Sequence, residues 1–211
     1  MDERLTDLTV RSLIERLGTR DPVPGGGSAS ALAGAMAAAL IRMVVELSVG
    51  GPRAEGHEDA LNDIRMAAVS RQAELLSLAE QDASAYDAVV RARKLPRDSE
   101  HERAARTRKV DAALAEATRV PLATARTASA VLDLTGSLAP IGNVNAISDV
   151  GVAALLASAS LGGAVLNVEI NLPYVTDEAL RNEAAAGIAA LLATVDERGE
   201  AVRAVVADRL R

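Results

Sequence analysis

Apolar residues recur along the chain at intervals of three, four and seven, the spacing of helices with one buried face. Leu5, Leu8, Leu13 and Leu17 begin a short amphipathic helix, which Gly18 and the turn-forming Asp21-Pro22-Val23-Pro24 stop. Gly25-Gly26-Gly27 is costly as helix interior and Ser28 is a good N-cap, so a second helix is expected from Ser28 to about Val49, ended by Gly50-Gly51-Pro52. From about Glu58 to Lys94 a long stripe follows through Leu61, Ile64, Ala68, Leu75, Ala79, Tyr86 and Val90. After Leu95-Pro96 a fourth helix, starting near Asp98, carries Val110, Leu114, Ala117, Pro121, Ala125, Ala128 and Leu132 on one face. Pro121 deprives the Ala117 carbonyl of its amide donor and predicts a kink. Residues 136–146 read as a loop, Ser148 to Asn171 as a helix apolar on every side and therefore central, and Asp177 onward as an ordinary amphipathic helix. The pattern predicts an all-α fold, a bundle of about six helices with long kinked members, forming one domain over residues 1–211.

Composition adds a partner. The chain is 49% hydrophobic but 1% aromatic, with no Phe or Trp, so its core is built from Ala, Leu, Val, Ile and Met. Two Ala/Gly-rich apolar helices leave more apolar surface than one chain of 211 residues covers, which predicts a two-fold homodimer through them; a self-contained six-helix core is the alternative. The absence of cysteine and the presence of only two histidines, His57 and His101, argue against disulfides and a zinc site and for a reducing cytoplasm. Met1-Asp2-Glu3-Arg4 leads into the first helix without a signal-peptide pattern. A net charge of −6 and only two tyrosines argue against nucleic acid. The run Ala29 to Ile41 falls short of the roughly 20 residues of a membrane span, and Val150 to Leu166 is bounded by Asp149 and Glu169, so no membrane contact is expected.

Several positions invite chemistry. Pro24-Gly25-Gly26-Gly27-Ser28 opens a helix with free amides and no side chains, which suits an anionic ligand or, more plainly, a linker with a cap. Asp82 falls on the apolar stripe Leu75, Ala79, Asp82, Tyr86, where a desolvated carboxylate makes an acid or base unless it is held in an ion pair. Ser148-Asp149 reads as an N-cap and a first-turn acid. Asn167 and Asn171 share a face in apolar surroundings and need partners from backbone or ligand. Between Arg91 and Lys109 eight basic residues, Arg97 among them, face three acids, a possible carboxylate site or a solvated hairpin end. His57 and His101 lie in charged segments and read as surface residues.

In order, Pro24-Gly-Gly-Gly-Ser28-Ala-Ser30-Ala31, Asp82-Ala-Ser-Ala-Tyr86-Asp87, Leu95-Pro96, Ala117-Thr-Arg-Val-Pro121-Leu122, Gly142-Asn143-Val-Asn145-Ala-Ile-Ser148-Asp149 and Asn167-Val-Glu-Ile-Asn171-Leu172 resemble the cyclodeaminase/cyclohydrolase family over nearly the whole chain. The resemblance implies an all-α homodimer acting on a folate without metal or cofactor, either as a methenyltetrahydrofolate cyclohydrolase or as a formiminotetrahydrofolate cyclodeaminase. It implies Asp82 as the catalytic carboxylate that attracts the cationic amidinium and deprotonates the attacking water, with Asp149 as an orienting or second acid. Pro24, Gly25, Gly26, Gly27, Ser28, Tyr86, Asn143, Asn145, Ser148 and Asn167 would then bind substrate, with Arg97 anchoring its carboxylate tail. Gln81, Tyr86 and Arg97 depart from the family's usual acid, Phe and Lys, and Gly50-Gly51-Pro52-Arg53 replaces a Lys-rich turn. The Gln81 and Arg97 departures are the main support for a rival to this leading reading, a non-catalytic helical dimer scaffold or anionic-metabolite-binding module.

Overall fold

The computed structural model describes residues 4–51 and 54–211. Six α-helices follow one another, α1 (Val10–Leu17), α2 (Gly26–Ser48), α3 (Glu58–Arg93), α4 (Glu100–Leu138), α5 (Ile147–Asn171) and α6 (Glu178–Arg209), with no strand among the described residues. Three short 3-10 turns, Leu5–Asp7, Val144–Ala146 and Leu172–Tyr174, precede α1 and bracket α5. The first expected helix is thus split: Leu8 and the capping Thr9 are extended, and only Leu5 of that segment enters the core. Pro52 and Arg53 lie outside the described residues; α2 ends one residue before Val49, and Gly50 takes the positive φ that turns the chain.

The centre is built from α2, α3, α4 and α5, with α6 packed on α4 and α5. Helix α2 runs antiparallel to both neighbours: its start meets Asp82 and Asn167, late in α3 and α5, while its end meets Arg65 and Asn143, early in α3 and just before α5. Small residues allow this close approach. Ala31, Ala35 and Ala38 are buried, and a Cβ on Gly34 would stand 2.7 Å from Ser160 Oγ and 3.1 Å from Leu75 Cδ1. One continuous core threads these helices, with a satellite of Val89, Ala92, Ala113 and Leu114 where α3 meets α4.

One expectation changes. Helix α5 is central but not covered all round, since Val152, Leu155, Leu166 and Ile170 lie along one exposed stripe; Met36, Met43 and Leu47 form another on α2. Both α2 and the segment Val144–Tyr174 are also long and apolar enough to cross a membrane by length and composition, which the shorter apolar runs alone do not indicate. In the most apolar stretch of each, 50% and 44% of the residues are buried in the bundle. The sixth helix starts where expected, with Asp177 accepting from the Ala179 and Leu180 amides, and α4 opens on a capping box between Ser99 and Glu102.

Helix α4 continues unbroken through Pro121. The Ala117 carbonyl, which proline cannot serve, accepts instead from Asn171 Nδ2 at 2.8 Å, and the second hydrogen of that amide goes to the Asn167 carbonyl at 3.0 Å. A side chain on α5 therefore completes the ladder of α4. Replacing Asn171 by Ala should cost about 1–2 kcal/mol by leaving that carbonyl unpaired. In a Pro121→Ala background, where residue 121 regains an N–H, the same replacement should cost much less; urea unfolding of the four proteins measures the coupling.

Candidate active site

The start of α2 fixes the site. Val23-Pro24 is a cis peptide, Gly25 takes the N-cap position, and Gly26 and Gly27 form the first helical turn rather than a linker before it. Ser28 is therefore not the cap. Its side chain is fully buried, and its hydroxyl lies 3.1 Å from the Ala79 carbonyl and 2.9 Å from Asp82 Oδ2, one hydrogen facing two acceptors. The reason for glycine is spatial: a Cβ at residue 27 would overlap the Asp82 carboxylate, which sits where that side chain would stand.

Burial pushes the Asp82 carboxyl above its ordinary value, and the hydroxyl and amide of Ser28, which favour the charged form, pull back without cancelling it. The positive end of α2 acts in the same sense as Ser28. The amides of Gly26 and Gly27 begin the helix and bond to no other described residue, leaving two donors for a ligand.

Asp82 opens onto a cavity of about 420 Å³. Its walls come from every central helix: Pro22, Val23 and Gly25 to Gly27 at the start of α2; Asp82, Ala85, Tyr86, Val89 and Arg93 on α3; Leu114 and Ala117 on α4; and Asn167, Ile170, Asn171 and Tyr174 at the end of α5 and its 3-10 turn. The volume is that of a small-molecule site, apolar with a few polar groups. Asn167 donates to the Gly163 carbonyl at 2.8 Å, which leaves its side-chain oxygen without a described partner.

Of the residues expected from sequence, the structure brings together Gly25, Gly26, Gly27, Asp82, Tyr86 and Asn167, with Pro24 and Ser28 buried behind the wall. It does not bring Arg97 to the cavity; that residue lies in the turn before α4, where its carbonyl accepts from Arg103. Arg93, one turn earlier, is the cation on the wall. Asn143, Asn145, Ser148 and Asp149 lie outside it too, because Asp149 and Asn167 stand at opposite ends of α5, about 27 Å apart at helical rise. Nor does Ser148 cap α5: the 3-10 turn runs straight into the helix, so Ala146 takes the cap position and Ser148 is exposed. Asn143 has a structural task here, accepting from the Asn145 amide at 2.9 Å and donating to the Leu47 carbonyl at 2.6 Å, which ties α5 to the end of α2.

Arg93 and Tyr174 were missed, although the signal for Arg93 was present: Asp82, Tyr86, Val89 and Arg93 continue the stripe at spacings of four, three and four. Among the described residues no group of three or more His, Cys, Asp or Glu has a metal-binding arrangement.

A family model described as formiminotransferase-cyclodeaminase matches residues 9–190. The chain is 37% identical over 202 residues to a methenyltetrahydrofolate cyclohydrolase of Methylorubrum extorquens, covering 96% of this chain and 97% of that protein. It is 33% identical over 191 residues to the formimidoyltransferase-cyclodeaminase of Rattus norvegicus, covering 90% of this chain but 35% of that protein's length. Among solved structures, formiminotetrahydrofolate cyclodeaminase from Thermotoga maritima matches with a TM-score of 0.86 at 28% identity, over 98% of this chain and 100% of that one. With its fold, its glycine-started helix and these matches in agreement, the chain belongs to the formiminotransferase-cyclodeaminase family.

Proposed function

We propose that the protein is a folate one-carbon enzyme acting on C–N bonds without metal or cofactor. It either hydrates methenyltetrahydrofolate to the 10-formyl form or closes the formimino form with release of ammonia. The observation that carries this reading is the Asp82 carboxylate, half-buried in a cavity and backed by a side-chain-free helix start. In hydration, Asp82 attracts the cationic amidinium and accepts the proton of the attacking water; the tetrahedral centre then collapses as one C–N bond breaks and the released nitrogen takes up a proton. In cyclisation the substrate's exocyclic aryl-amine nitrogen attacks the carbon of the protonated formimino group, and the proton it loses goes, through the same carboxyl, to the departing ammonia. Gly26 and Gly27 supply amide donors, and Arg93 is better situated than Arg97 for the substrate's carboxylate tail.

The exposed stripes Met36-Met43-Leu47 on α2 and Val152-Leu155-Leu166 on α5 support a homodimer that covers them. Such a dimer offers Asp149 a role at a second copy's cavity, since it is remote from its own. Light scattering should give a particle of twice the 21.8 kDa chain mass; a monomer at micromolar concentration would refute this.

Asp82→Asn should lower kcat about 100-fold or more, followed by the methenyl chromophore. Its effect on stability has the opposite sign. A carboxyl raised in the folded state contributes stability that is present below its ordinary value of 3.8 and lost as pH rises through the raised value. The Asn variant should therefore melt no lower than wild type at neutral pH, and any advantage should vanish in acid. Full turnover by Asp82→Asn would remove Asp82 from the mechanism.

Gly27→Ala tests the helix start. Alanine is the better helix former, but its Cβ displaces the carboxylate, so kcat should fall by about 10- to 100-fold while circular dichroism shows helix content unchanged.

A further inference from the structure

The chain contains two tyrosines and no Phe or Trp, and both tyrosines line the same cavity. They reach it from different elements, Tyr86 from α3 and Tyr174 from the 3-10 turn after α5. Neither ring is used to fill the core, where aromatic side chains bury the most area; Tyr86 is 44% exposed and Tyr174 is 58% exposed. Among the described residues neither hydroxyl has a hydrogen-bond partner, so no polar contact explains their positions. The backbone at Tyr174 is nonetheless well held. Asn171, three residues before it, is bonded to α4, and Val175, just after it, is buried with its carbonyl accepting from Arg181. Apolar Ala85, Val89 and Ile170 share this part of the wall.

We propose that Tyr174 is a ligand-binding residue that works with Tyr86, the two rings providing stacking surfaces for the planar conjugated ring of the substrate. This rests on the folate reading above and adds to it the residue that holds the ring system. Stacking is made in ground and transition states alike, so Tyr174 acts on affinity and not on the chemical step.

The test uses the full chain and 5-formyltetrahydrofolate, which is stable in solution, as the binding probe. Tyr174→Ala should weaken its Kd about tenfold, and Tyr174→Phe, which keeps the ring, should stay within about twofold of wild type. The KM for the methenyl form should rise in parallel with kcat nearly unchanged. In the Tyr86→Phe protein all tyrosine emission comes from Tyr174, and the probe should quench it saturably. Wild-type affinity in Tyr174→Ala, or a Tyr174→Phe protein as weak as the Ala variant, overturns the role of the ring while leaving the folate reading intact. Failure of the wild-type protein to bind or turn over any folate overturns both.

Discussion

A carboxylate can sit against the first turn of a helix only if that turn carries no side chain toward it, and the meeting of Gly27 with Asp82 imposes this constraint on the whole bundle. Ser28 then reaches past the glycine to both Ala79 and Asp82, fastening the start of α2 to α3. The same economy of side chains continues down the helix. Gly34 lies over Ser160 and Leu75, and Ser30 stands where a side chain on Gly163 would be, so α2 is pressed between α3 and α5 along its length. At the far end Asn143 and Ser48 close the arrangement through the Leu47 carbonyl and the Asn143 amide. With both ends of α2 tied down, the helical side of the cavity at its start has a fixed rim.

Much of the fold was legible because its signals are local. Stripes at helical spacing gave α3, α4 and α6, and Asp177 and Gly50 marked ends by capping and turn chemistry. The errors share a physical cause, which is that caps and burial depend on neighbours in space. Ser28 and Ser148 both have the side chain of an N-cap, yet one is claimed by Asp82 and the other is bypassed by a 3-10 turn. Likewise α5 is apolar all round in sequence, but only the helices beside it decide which of its faces is covered.

The site was legible in part for a similar reason. Asp82 stood out as a charge on an apolar stripe, and the glycine run as an absence of side chains where a helix begins. Asp149 stood out as well, through its sequence neighbours, but rise along a helix separates what resemblance groups together. Tyr174 carried no periodic signal, since it belongs to a three-residue turn whose place is set by contacts with α5, α6 and the core.

The bond from Asn171 to the Ala117 carbonyl makes α4 an incomplete helix on its own. Its backbone ladder is finished only when the end of α5 docks, so the two helices fold and open as one cooperative unit rather than as separate hairpin arms. That same end of α5 forms part of the cavity wall. Local opening of the cavity and fraying in the middle of α4 are consequently one event. A ligand that holds the end of α5 in place slows hydrogen exchange at amides of α4 that it never touches.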